Sequence, residues 1–256
     1  SAYSTRMMEA DVIADKVNRE WLRYALPLPK EIRIEGEASV APEAISVTVC
    51  GAEDAAINLA AEQLRGLLGG SHEAGGKTFE IVLGTVDSHG RLGGTVVDEG
   101  RLAGLPNSAQ AYVIRPDGRG RLLLAGLDGV GVAYAACTLG QLLRPFITDA
   151  LVRIPLLSVT DWPDVAERGL WNFPDPADWI PWLAGMKLNY GKMACTELAP
   201  VERGAPNRAT IDSELMLAAR ARGFNYLPYV LHLNFLHDCG LFRAYPELAG
   251  VGDGAL

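Results

Sequence analysis

The chain has 256 residues, 49% of them hydrophobic and 21% charged, with a formal net charge of -8. That is the composition of a globular protein with ample material for a core. The acidic balance excludes nucleic acid as the expected partner, because phosphate binding needs a concentrated basic surface. No run approaches the ~18 consecutive apolar residues that span a bilayer, so no membrane association is expected. The charged start, SAYSTRMMEADVIADKVNREW, has no apolar signal core, which favours a cytoplasmic reading.

In chain order, residues 5–24 read as a helix, with Met8, Val12, Val17, Trp21 and Leu22 at roughly helical spacing. LPLPK ends it, since proline cannot continue a helix. EIRIEGEASV and AISVTVCG alternate apolar and polar residues with the period of a strand. AAINLAAEQLRGLLGG reads as a helix stopped by a glycine pair, and TFEIVLGTV as the next strand. Residues 87–108, rich in Gly, Asp and Ser, read as a loop. In QAYVIRPDGRGRLLLAG two apolar runs flank Pro116-Asp117-Gly118, which predicts a hairpin. A helix opened by Asp128 or Gly129 and a strand LVRIPLLSVTDWPD complete a mixed or mainly antiparallel sheet with a pair of helices.

After Trp162 the pattern alternates strand and helix. RGLWNF is a strand, PADWIPWLAGMKLN a helix, and YGKMACTEL a strand. TIDSELMLAARARG is a helix capped by Thr210, and FNYLPYVLHLNFL a long strand. Such alternation implies parallel strands with right-handed crossovers. Trp171, Trp179 and Trp182 are expected in the core, since strand and helix positions of this kind fill an interior. Cys50, Cys137, Cys195 and Cys239 form no CxxC pair, and His72, His89, His232 and His237 show no HExxH spacing. No metal and no other cofactor is therefore expected. GLDGVG at 126–131 misplaces the third glycine of a dinucleotide fingerprint.

The segment AYVIRPDGRGRLLLAGLDGVGVAYAACTLGQLL, followed by RIPLLSVTDWPDVAERG, resembles glycoside hydrolase family 20, the β-N-acetylhexosaminidases. The likeness covers roughly residues 110–190. A hairpin leads to a Gly-Tyr-Ala-to-Thr-Leu-x-Gln-Leu type helix, a strand ends in Asp-x-Pro, and Arg-Gly opens the next strand. The resemblance implies an α/β fold in two parts. The first is an α+β sheet-and-helix domain over residues 1–160. The second is an incomplete TIM (β/α)8 barrel over residues 161–256, with room for about three β/α units. It implies a carbohydrate substrate and a retaining, substrate-assisted hydrolysis, in which an Asp-Glu pair at the end of barrel strand 4 polarises the acetamido group and protonates the leaving oxygen. That pair has no counterpart in this sequence, so no catalytic residue is assigned.

Carried over residue by residue, Arg168 falls on the family's Arg-Gly arginine, which binds sugar hydroxyls through its fork of donors. KLNYGKMACTEL falls on the family's Lys-x-Asn strand, with Glu197 in place of an acidic residue near the sugar. After ARARGF the family's acidic residue and Pro-Gly-His turn are replaced by YLPYVLHLNFLHD, where His232 lies near but off the motif. Three activities are compatible with these residues. They are an exo-acting N-acetylhexosaminidase, a related α-glucuronidase or O-GlcNAc-hydrolase-like glycosidase, and a carbohydrate-binding module without turnover.

Overall fold

The computed structural model describes residues 18–69, 78–194, 197–206, 208–229 and 239–249; for 192–194, 197 and 198 the backbone alone is described. The expected N-terminal helix is seen at residues 18–22, residues 23 and 24 form a turn, and residues 5–17 lie outside the described residues. Strands β1 (Glu31–Val40) and β2 (Ile45–Val49) follow, then helix α1 (Ala55–Leu68) and β3 (Phe79–Thr85). The Asp54 carboxylate caps α1, accepting from the amides of Ala56 and Ile57. Gly69, at φ 64°, closes it in the left-handed conformation that suits glycine.

Residues 87–108 are not a plain loop. They form a small hairpin, β4 (Arg91–Leu92) with β5 (Thr95–Val96), and 3-10 turns at Leu102–Gly104 and Ser108–Gln110. The expected hairpin is β6 (Tyr112–Pro116) antiparallel to β7 (Arg121–Gly126). Helix α2 (Gly129–Leu143), capped by Asp128, leads to β8 (Val152–Asp161). These strands form one six-stranded mixed sheet in the order β1-β8-β6-β7-β3-β2. The pairs β2/β3 and β3/β7 are parallel and the others antiparallel.

Strand alternation explains why the central strands are apolar throughout. Ile81, Leu83, Leu122 and Leu124 point to the main core under α1 and α2, while Val82 and Leu123 point to a second cluster with Leu92, Val97 and Leu102. The 87–108 segment is thus the second cover of the sheet. Its Gly, Asp and Ser content hid that role, because only Leu92, Val97, Leu102 and the partly buried Leu105 do the covering.

Beyond β8 the chain forms a three-stranded parallel sheet. Its strands are β9 (Gly169–Leu170), β10 (Tyr190–Ala194) and β13 (Asn225–Tyr229), with β10 in the middle. Helix α3 (Pro176–Gly185) joins β9 to β10, and α4 (Ser213–Arg220) precedes β13. Between them β11 (Glu197–Leu198) pairs antiparallel with β12 (Ala209–Thr210). A short helix, α5 (Leu241–Ala244), and a 3-10 turn at Pro246–Leu248 end the described chain. Ile180, Leu183, Ala219, Phe224 and Tyr226 make a third apolar cluster between these helices and this sheet.

Several expectations are corrected here. The strand expected over 190–198 breaks after Ala194, and Glu197 belongs to the inserted hairpin. Thr210 is a strand residue, and Asp212 caps α4 through the amide of Leu215. Helix α3 stops at Gly185, short of Asn189. Trp171 and Trp182 are 57% and 56% exposed, and only Trp179 packs against the third cluster. The face of α3 turned to the sheet carries Ile180, Leu183 and Ala184, which leaves Trp182 pointing away.

Candidate functional site

A parallel sheet has two chemically distinct edges. Arg168, Lys187 and Asn189 stand at the N-terminal edge of the small sheet, just before β9 and β10. Trp171 stands at the C-terminal edge after β9, and Tyr229 ends β13 on the same side.

The N-terminal edge is fused to the six-stranded sheet by a buried polar network. Lys187 follows the end of α3 at φ 59°, a left-handed conformation that is uncommon for a residue with a side chain. The hydrogen bonds explain it. The amide of Lys187 donates to Ala184 O at 2.8 Å and that of Leu188 to Leu183 O at 3.0 Å, which is the Schellman ending. Glycine normally fills this position, as Gly69 does for α1. Here a lysine fills it, and its side chain has a reason to be there.

That side chain is buried, with 4% of the residue exposed. Its Nζ donates to the Tyr112 hydroxyl at 2.7 Å and to Asp161 Oδ2 at 3.1 Å. The Tyr112 hydroxyl lies 2.9 Å from Asp161 Oδ2 and 2.6 Å from Thr138 Oγ1. Asp161 Oδ1 accepts from the amide of Lys30 at 3.1 Å. Burial pushes the Lys187 ammonium below its ordinary value, against the opposing pull of Asp161. Burial likewise pushes the Tyr112 phenol well above its own, with the Asp161 charge adding to it.

Arg168 belongs to the same seam. Its Nε and Nη2 donate to Lys187 O at 3.2 and 2.7 Å, and Nη2 also to the Tyr134 hydroxyl at 3.2 Å. Its Nη1 donates to Val165 O at 2.6 Å and to Gln110 Oε1 at 2.8 Å. A guanidinium has five N–H donors, and each has a protein acceptor here. Asn189 completes the joint, accepting from the Arg168 amide at 2.8 Å and donating to Ala166 O at 2.8 Å. Tyr134 is pushed up to about 12 by burial, against the lowering effect of Arg168. A cavity of about 280 Å³ opens between these groups, walled by Leu28, Tyr112, Tyr134 and Trp162 and flanked by Lys187 and Arg168.

The C-terminal edge is different in kind. Trp171 and Tyr229 meet edge to face with ring centroids 5.7 Å apart, and the Trp171 ring remains largely in solvent. This is the edge at which parallel β/α folds assemble binding sites, because the loops there are free to vary. The backbone of Glu197 lies beyond the end of β10, paired with Thr210, and its side chain is outside the description. His232 lies outside the described residues. Asp161 and Lys187 enter the sequence reading only as parts of the Asp-x-Pro and Lys-x-Asn motifs, and none of Lys187, Asp161, Tyr112, Tyr134 and Gln110 is expected in a site from sequence. A lysine inside the apolar stretch AGMKLNYG was the one available signal, since a buried lysine requires a partner.

The two-layer arrangement, a mixed sheet with helices on one face joined to parallel β/α units, is the fold of solved glycoside hydrolases. The chain is similar to the β-N-acetylhexosaminidase of Bacteroides fragilis NCTC 9343, at 17% identity and a TM-score of 0.57, over 88% of this chain and 48% of that one. It is similar to the GH20 exo β-N-acetylglucosaminidase of Vibrio harveyi in complex with N-acetylglucosamine, at 16% identity and a TM-score of 0.59, over 91% of this chain and 39% of that one. It is also similar to CpGH84B, at 16% identity and a TM-score of 0.53, over 85% of this chain and 40% of that one. The chain spans less than half the length of each of these proteins, and at such identities the likeness is one of fold. Neither a family model nor a curated protein matches it.

Proposed function

We propose that this chain is the sugar-binding framework of a glycoside hydrolase of the β-N-acetylhexosaminidase type. In this reading residues 1–160 are a supporting α+β domain and residues 161–256 the opening of a (β/α)8 barrel. The observation that carries it is the run β9-α3-β10-α4-β13. Its strands are parallel and adjacent, with an aromatic pair at their C-terminal edge and hexosaminidases among the proteins of like fold.

Trp171 supplies an aromatic face for the apolar side of a sugar ring, and Tyr229 holds that ring in place. Glu197 and His232 follow β10 and β13 in sequence and are proposed as partners of the sugar hydroxyls. Arg168 enters as a positioning residue. It fixes the start of the strand from whose end Trp171 projects. The acidic pair of the family has no counterpart in this sequence, so the proposal for this chain concerns sugar recognition.

Calorimetry with N-acetylglucosamine and the Trp171→Ala variant tests the reading. Saturable binding that the variant loses supports it, and no binding, or binding indifferent to Trp171, overturns it. A second reading is a related α-glucuronidase or O-GlcNAc-hydrolase-like glycosidase, the latter in line with the likeness to CpGH84B. A panel of aryl N-acetylglucosaminides and aryl uronides separates the two by which is bound more tightly, and released chromophore reports any turnover. Binding with no release from any of them leaves the binding module.

A further inference from the structure

The seam cavity has features that the joint between the sheets does not need. Lys187 Nζ carries three hydrogens. Two go to Tyr112 and Asp161, and the third has no acceptor among the described residues. The Tyr134 hydroxyl accepts from Arg168, and its own hydrogen also has no acceptor among them. Both residues line the cavity and are buried, at 4% and 2% exposure. The carboxylate paired with Lys187 is occupied: Asp161 takes the Lys30 amide on Oδ1, and Tyr112 and Lys187 on Oδ2.

The charges are unequal in the same sense. Lys30, Arg168 and Lys187 line the cavity together with Asp161 and Asp164. Lys30 pairs with Asp164 and Lys187 with Asp161. Every acceptor bonded by the Arg168 side chain is a neutral oxygen. One positive charge is therefore left without a carboxylate, in a space whose walls are Leu28, Tyr112, Trp162 and Pro163. Two buried donors without acceptors and one uncompensated cation ask for the same thing, an oxyanion with two acceptor atoms.

We propose that this cavity binds a small monocarboxylate with an apolar or aromatic body, its two oxygens taking the hydrogens of Lys187 Nζ and the Tyr134 hydroxyl. The ring or chain of the ligand lies against Tyr112, Trp162 and Leu28. Tyr134 stays a donor at neutral pH because burial keeps its phenol protonated. The site is on the opposite edge of the small sheet from Trp171, so it is separate from the proposed sugar edge. Its volume is at the small end for ligand pockets, which limits the ligand to about the size of benzoate.

The test is calorimetric titration of the full chain with benzoate, with benzamide and glucuronate as controls. Benzoate is expected to saturate a single site. Benzamide, which has the body without the charge, and glucuronate, which has the charge on a hydroxylated body, are each expected to bind at least about tenfold more weakly. Leu28→Trp fills the cavity from its rim, where Leu28 is 55% exposed, and is expected to abolish binding with an unchanged circular dichroism spectrum. Lys187→Met is expected to weaken it by about tenfold or more. No saturable binding of benzoate, equal binding of benzamide or glucuronate, or a Leu28→Trp variant that binds normally overturns the proposal. None of these readouts involves a glycoside, so they stand apart from the sugar-recognition reading.

Discussion

The two edges of the three-stranded sheet are built on opposite principles. At the N-terminal edge Arg168, Lys187 and Asn189 are bonded into a joint with Tyr112 and Asp161 of the larger sheet, Tyr134 of helix α2 and Gln110 of the 3-10 turn before β6. At the C-terminal edge an exposed tryptophan leans on a tyrosine. The first edge is a fastening and the second a surface. The residues that made the sequence recognisable, the Asp of Asp-x-Pro, the Arg of Arg-Gly, and the Lys and Asn of Lys-x-Asn, all converge on the fastening. The most recognisable motif in a chain can therefore record how its parts are joined.

The largest expected effect is at Asp161. Replacing it with alanine strands the Lys187 ammonium in the interior. Removing one partner of a buried pair costs about 3–5 kcal/mol, and urea denaturation should show a loss of that size. A loss no larger than that of a surface substitution would mean that the edge is not a buried joint. Arg168→Ala comes next. It leaves Lys187 O and Val165 O without their donor and Gln110 Oε1 with only the longer bond from Asn189 Nδ2, and about 2–3 kcal/mol of destabilisation is expected. If stability is unchanged while sugar binding is lost, Arg168 contacts the sugar and the assignment of the two edges is reversed.

The pH dependence sharpens the same contrast. Tyr134 rises from 10.0 to about 12 on folding. The unfolded chain ionises first, so this contribution is complete below pH 10 and is lost as pH rises toward 12. It amounts to about 2–3 kcal/mol. Tyr112 acts in the same direction. Lys187 acts oppositely. Its value is lowered from 10.5 in the fold, so the unfolded chain holds the extra proton, and stability rises with pH through the window below 10.5. Thermal unfolding followed from pH 8 upward should reach a maximum and then fall, and Tyr134→Phe should flatten the fall. The smallest effect belongs to the other edge. Trp171→Ala should change stability by no more than about 0.5 kcal/mol, as at an exposed site, while sugar affinity, read by calorimetry, drops.

Much of the larger sheet was legible from sequence because its elements are long and locally consistent. The Pro116-Asp117-Gly118 turn set the β6–β7 hairpin, and α1 carried both its cap and its glycine stop. The small sheet was less legible. Its strands are two and five residues long, so alternation has little length to act over. Helix α3 is shorter than its sequence suggests because Lys187 occupies a position where glycine would have marked the end. Thr210 looked like a cap because it precedes Asp212, which does the capping through the amide of Leu215. Trp171 was read as core because a tryptophan in an apolar run usually is, and periodicity says nothing about which sheet edge stays open.

By itself the sequence determined the alternation of elements, the turn chemistry and the family likeness, because each depends on residues close together in the chain. Tertiary structure alone decided that Lys187, Asp161 and Tyr112 form one buried network, across separations of 26 and 75 residues. It also decided that Arg168 faces the seam with every donor occupied. The physical reason is that a buried charge is tolerated only where distant segments bring it a partner, and such a partner leaves no local pattern in the sequence.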